Sequence, residues 1–119
     1  MDKLSATLYA VDANGIAFWC PGCRAQHVVT IGAGAGAWKW NGSVERPTFH
    51  PSVLASYPHW EPSAEDPEVA AAIKRGEVKQ QLVERKCHSF VTDGQIQFLG
   101  DCTHELAGQT VPLPDFDAA

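Results

Sequence analysis

Four cysteines in two distant clusters constrain this chain more than any other feature. Cys20-Pro-Gly-Cys23 lies near one end, and Cys87 and Cys102 lie toward the other. Histidines follow them closely: His27 after the first cluster, His88 beside Cys87, and His104 just past Cys102. Thiolate and imidazole are the ligands zinc prefers, and a C-x-x-C turn offers two sulfurs from one tight loop. The even count also permits two disulfides. However, the opening residues MDKLSATLYAVDANG carry neither the apolar stretch nor the cleavage pattern of a secretory leader. The expectation is therefore a cytoplasmic protein with reduced thiols and one tetrahedral zinc. Cys20, Cys23 and Cys87 are its expected ligands, and spacing makes Cys102 the fourth.

The 119 residues suit a single domain, 1–119, with a modest core that a metal staple would reinforce. The formal net charge is −5, and the nine Lys and Arg residues are scattered along the chain. No basic stripe exists to follow a phosphate backbone, so nucleic acid is not an expected partner. No apolar run approaches the ~20 residues of a membrane-spanning helix, so no membrane is expected either. Nothing in the residues specifies an oligomeric state.

Local patterns predict mainly antiparallel β structure with one short helix, an α+β domain. Residues 7–11 and 16–19 are β-prone and flank Asp12-Ala-Asn-Gly15, a strong turn, so they read as a hairpin ending in the cysteine knuckle. Residues 28–31 and 38–41 read as further short strands. Pro47, Pro51, Pro58 and Pro62 predict a loop-rich middle. Asp66-Pro67-Glu68 opens the helix, and Lys74-Arg75-Gly76 closes it. Residues 78–86 fit no single pattern. A two-residue Asp93-Gly94 turn then sets Thr92 opposite Gln95 and Phe90 opposite Gln97. Alternation puts Cys87, Ser89, Val91, Ile96 and Phe98 on one face of this second hairpin and turns His88 to the other. Zinc would join the knuckle to the hairpin's open end.

Two motif matches lack the structure they need. Gly32-Ala-Gly34-Ala-Gly36-Ala37 has the letters of a dinucleotide fingerprint, but no helix pattern opens on it. His59-Trp-Glu61 with the C-x-x-C knuckle has deaminase ligands in reversed order, and His59 lies in a proline-bracketed segment. The ligand supply, four cysteines with three nearby histidines, exceeds the four places zinc offers. With all four thiolates bound the site is closed and structural. With water in one place, zinc would activate that water for hydrolysis. Spacing favours the closed site. Glu45 is the one carboxylate in the aromatic, proline-rich segment 38–52, and so is the candidate base toward such a water.

Several pieces together carry a resemblance: Phe18-Trp-Cys-Pro-Gly-Cys23, Trp40-Asn-Gly-Ser43, Pro47-Thr-Phe49, Pro51-Ser52, Cys87-His-Ser-Phe-Val-Thr-Asp-Gly94 and Asp101-Cys-Thr-His104. They resemble a small phage and prophage family whose members often carry the label ammonia monooxygenase, an activity whose membrane spans this chain lacks. In the knuckle, the Pro-Ser step and the Cys-Phe-Gly hairpin the chain is also similar to zinc peptidase-like proteins of bacterial ubiquitin-like conjugation operons. That wider group has a histidine directly before the hairpin phenylalanine, where this chain has Ser89 and carries His88 one place earlier. Either the strand is irregular there, or His104 supplies the imidazole. The resemblance implies a zinc-dependent hydrolase removing a ubiquitin-like modifier, with Glu45, His88, Asp101 and His104 as the candidates for proton transfer and carbonyl binding. The competing reading is a non-catalytic zinc-stapled module whose aromatic loop binds a host protein.

Overall fold

The computed structural model describes residues 1–118 and arranges them as two antiparallel sheets packed face to face. The first sheet runs in chain order: β1 (Asp2–Lys3), β2 (Leu8–Ala10), β3 (Gly15–Cys20) and β4 (Ala25–Thr30). The second also runs in chain order: β5 (Lys39–Trp40), β6 (Phe49–Glu61), β7 (Gln81–Thr92), β8 (Gln95–Phe98) and β9 (Thr110–Pro112). Both expected hairpins are present. Asp93 and Gly94 adopt positive φ, and Thr92 pairs with Gln95 and Phe90 with Gln97, as the two-residue turn requires.

The core lies between the sheets. Leu8, Ile16, Phe18 and Val29 of the first sheet meet Phe49, Val91, Ile96 and Phe98 of the second, all essentially sealed from solvent. Phe18 stacks on Phe49 with ring centroids 6.1 Å apart. A parallel bridge between Ile31 and Trp38 closes the glycine-rich connection from β4 to β5, and no helix follows those glycines.

The middle segment departs from the loop that its prolines suggest. It forms β6, the longest strand, which pairs with β7 from Val53–Ser89 to Glu61–Gln81. The prolines are tolerated because β5 reaches only Phe49 and His50, so most of β6 has no partner on its outer side. Between Phe49 and Val53 the β6–β7 register shifts, and Pro51 and Ser52 fall within that irregularity. Residues 78–86 resolve accordingly, with β7 beginning at Gln81. The paired β6–β7 arm stretches the molecule to 51 × 28 × 26 Å.

Helix α1 (Pro67–Lys74) joins the two strands of the arm and buries none of its residues. Its signals act as read: the Asp66 side chain accepts from the Glu68 amide, and Gly76 follows the C-cap at φ 78°. Among the described residues, no helix is long and apolar enough to cross a membrane.

Candidate functional site

β7 carries chemistry on both faces at consecutive residues. Cys87 turns inward and is buried, while His88 turns outward, half-buried, as regular alternation demands. The strand is paired without a break here, so the one-place displacement of His88 is not an irregularity.

On the outer face, His88 stands between a serine and a carboxylate. Its Nε2 lies 2.9 Å from Ser52 Oγ and its Nδ1 3.3 Å from Asp101 Oδ2. A carboxylate only accepts, so Nδ1 carries the proton toward Asp101, leaving Nε2 to accept from the Ser52 hydroxyl. A hydroxyl, an imidazole and a carboxylate thus follow one another in hydrogen-bond contact, an arrangement able to activate a serine. Ser52 comes from the irregular start of β6, where a broken register re-aims side chains. The Trp38 indole donates to the Ser52 carbonyl at 3.3 Å and anchors that backbone.

Asp101 reaches His88 through its neighbour. The His88 amide donates to Cys102 Sγ, and Cys102 Sγ donates to the His88 carbonyl, both at 3.2 Å. Leu99 and Thr103 amides also bond to the His88 and Lys86 carbonyls, so the 99–103 turn is stitched along β7. Two exposed apolar side chains flank the histidine: Leu54, directly across from it on β6, and Phe90, two places along the same face.

On the inner face, Cys20 and Cys23 from the knuckle, His27 from β4 and Cys87 place one ligand atom each within 4.8 Å of one another. All four cysteines of the chain are free thiols. Cys20 and Cys87 sulfurs stand 3.8 Å apart. Zinc–sulfur bonds of ~2.3 Å at the tetrahedral angle separate two sulfurs by the same ~3.8 Å. The Nε2 of His27 is buried with no hydrogen-bond partner, an orphan that a metal would satisfy. A second group, Cys87, Cys102 and His104, shares Cys87, with His104 Nε2 3.4 Å from the Cys87 sulfur. Knuckle and hairpin thus meet in a cluster able to hold a metal ion, with His27 in the place expected of Cys102, which falls in the second group; thiolate with imidazole fits zinc.

The electrostatics point the same way. Hydrogen bonding to Cys20 and Cys87 holds Cys23 far below the ordinary thiol range, and contacts with Cys20 and Cys23 push Cys87 far above it. Burial pulls the His27 imidazole down, yet the sulfurs of Cys20 and Cys23 outweigh it and raise His27 to about 9. The sulfurs that favour an imidazolium over the neutral ring would likewise favour a metal cation at the same place.

The remaining expectations fall out by position. Glu45 joins neither group. Its carbonyl lies against Gly94 at the hairpin turn, seven residues along the chain from Cys87 or roughly 23 Å at the usual rise. It cannot serve as base to a metal at Cys87. His59 and Glu61 lie on strand β6 and not at a helix start. Ser52 belongs to the motif-bearing Pro51-Ser52 step, but sequence reasoning gives it no role. The order Ser, His, Asp along the chain is the available signal, and it acquires meaning only when β6 pairs with β7.

A family model described as bacterial ubiquitination-like system serine protease (BubE) matches residues 2–99, most of the chain and both Ser52 and His88. No curated protein and no solved structure matches it. The breadth of the family match, over a chain that brings a serine, a histidine and an aspartate into contact, shows that this protein belongs to the BubE family of bacterial ubiquitination-like systems.

Proposed function

We propose that this protein is a serine peptidase that cleaves ubiquitin-like protein conjugates, with Ser52 as nucleophile, His88 as general base and Asp101 as the residue that orients it. The contact sequence Ser52–His88–Asp101 carries the reading, and the family's description supports it. Ser52 Oγ attacks the carbonyl that joins the modifier's C-terminus to its target. His88 Nε2 takes the hydroxyl proton and passes it to the leaving amine, while Asp101 steadies the imidazolium. Water, deprotonated by His88, then releases the modifier from Ser52. Leu54 and Phe90 offer the apolar contacts beside the scissile bond.

This assignment replaces the zinc-activated water. The sulfur cluster lies on the face of β7 opposite the triad, and Glu45 is out of its reach. When bound, zinc supplies structural cross-linking there, tying the first sheet to the second. The enzyme acts in the cytoplasm, where its thiols stay reduced.

The test uses a ubiquitin-like modifier fused to a reporter protein. Ser52→Ala should lose about 10³-fold or more in cleavage rate while retaining fold and metal content. A fluorophosphonate probe should label wild-type Ser52 and leave the variant unlabelled. Cleavage undiminished in Ser52→Ala would return the chemistry to the metal. Zinc-loaded wild type that cleaves no such fusion and takes no probe would leave a binding module.

A further inference from the structure

The inner cluster offers more donors than one metal can take, and the contacts each already makes decide between them. Cys102 has its thiol hydrogen committed: Sγ lies 3.2 Å from the His88 carbonyl oxygen. A metal-bound thiolate has no hydrogen to donate and would be repelled by that oxygen. His104 is committed differently. The Leu106 amide donates to His104 Nδ1 at 3.2 Å, so Nδ1 is the bare nitrogen and Nε2 bears the hydrogen. That Nε2 faces Cys87 Sγ at 3.4 Å as a donor, whereas a histidine bound through Nε2 would need its hydrogen on Nδ1. His27 has the opposite character, with a buried Nε2 that nothing satisfies. It also lies within 4.8 Å of Cys20, Cys23 and Cys87, four residues beyond the knuckle in a C-x-x-C-x-x-x-H spacing.

We infer that the metal site is Cys20, Cys23, His27 and Cys87, three sulfurs and one nitrogen, with His104 as an outer hydrogen-bond donor to Cys87 and Cys102 outside the site. Three thiolates on a divalent ion leave one excess negative charge. The His104 N–H to Cys87 and the Cys23 amide to Cys20 Sγ at 3.3 Å are placed to offset it. Cys102 instead positions the His88 backbone and Asp101. The inference rests on the metal staple proposed above and adds its membership.

The zinc-loaded wild-type protein answers the question without any activity assay. Its X-ray absorption spectrum should fit three sulfurs and one nitrogen. A long-range 1H–15N spectrum should show His27 Nε2 metal-bound, with His104 protonated on Nε2. Cobalt-loaded Cys102→Ser should keep the full sulfur-to-metal charge-transfer intensity, whereas Cys23→Ser should lose about a third of it or bind no cobalt. His104→Ala should still bind one metal, about 10–100-fold more weakly. A four-sulfur shell, a lowered cobalt signal in Cys102→Ser, or His104 as the bound nitrogen would overturn the assignment while leaving the staple. Protein that takes up no zinc would overturn the staple as well.

Discussion

Each side chain of the site is fixed by a specific contact. Gly22 is an example: a Cβ there would fall 2.3–2.5 Å from three atoms of the His104 ring. Glycine at this knuckle position is thus a steric requirement as much as a turn preference. Gly22→Ala should push the His104 ring from Cys87, costing about 1–3 kcal/mol of stability and weakening metal retention, read by thermal unfolding and by competition with a chelator. Asp101→Asn should keep fold and metal yet lose about 100-fold or more in kcat, because an amide cannot hold the imidazolium as a carboxylate does. Glu45→Gln should change neither cleavage nor metal content by more than about twofold, since Glu45 is exposed and packs at the far turn. The three variants assayed on one fusion substrate separate proton transfer from simple acidity.

Among the elements, those with local chemistry are legible in the sequence and those defined by distant pairing are not. Asp93-Gly94 announces a turn and its register, and Asp66-Pro67 with Gly76 announces α1, because turn and cap preferences act within a few residues. β6 stays hidden for a physical reason. Its buried–exposed alternation is regular only from Val53 onward, Leu54 and Trp60 stand on the exposed face and blur the contrast, and Pro51 and Pro58 read as breakers. With β6 taken for a loop, Ser52 has no strand to bring it to His88, and the proposed nucleophile goes unread. The knuckle and Cys87 are legible because metal chemistry leaves a spacing; the bond of Cys102 to the His88 backbone leaves none. Helix α1, which buries nothing, should be energetically separate from the sandwich. Asp66→Ala should speed amide exchange in the helix, as expected for a lost cap of about 1 kcal/mol, and leave the main unfolding transition and the cleavage rate unchanged.

At the scale of the whole molecule, the cluster connects β3 and β4 of one sheet to β7 of the other at one end of the core. Chelation should therefore lower the unfolding temperature and abolish cleavage together, and restored metal should recover both. Cadmium should restore them as well as zinc does, with kcat within about twofold, because the ion is not asked to activate water; a zinc-only recovery of kcat would mark the ion as chemical. The adjacency of Cys87 and His88 has a further consequence for how this chain can change length. The two are consecutive on the strand, so a single insertion between them would turn both side chains to the same face and deprive the other face of its residue. No deletion or duplication is neutral there. Length variation belongs instead in the 32–37 connection, where a Cβ added at Gly32, Gly34 or Gly36 would meet nothing within 4 Å, and a chain extended there would still fasten and still cut.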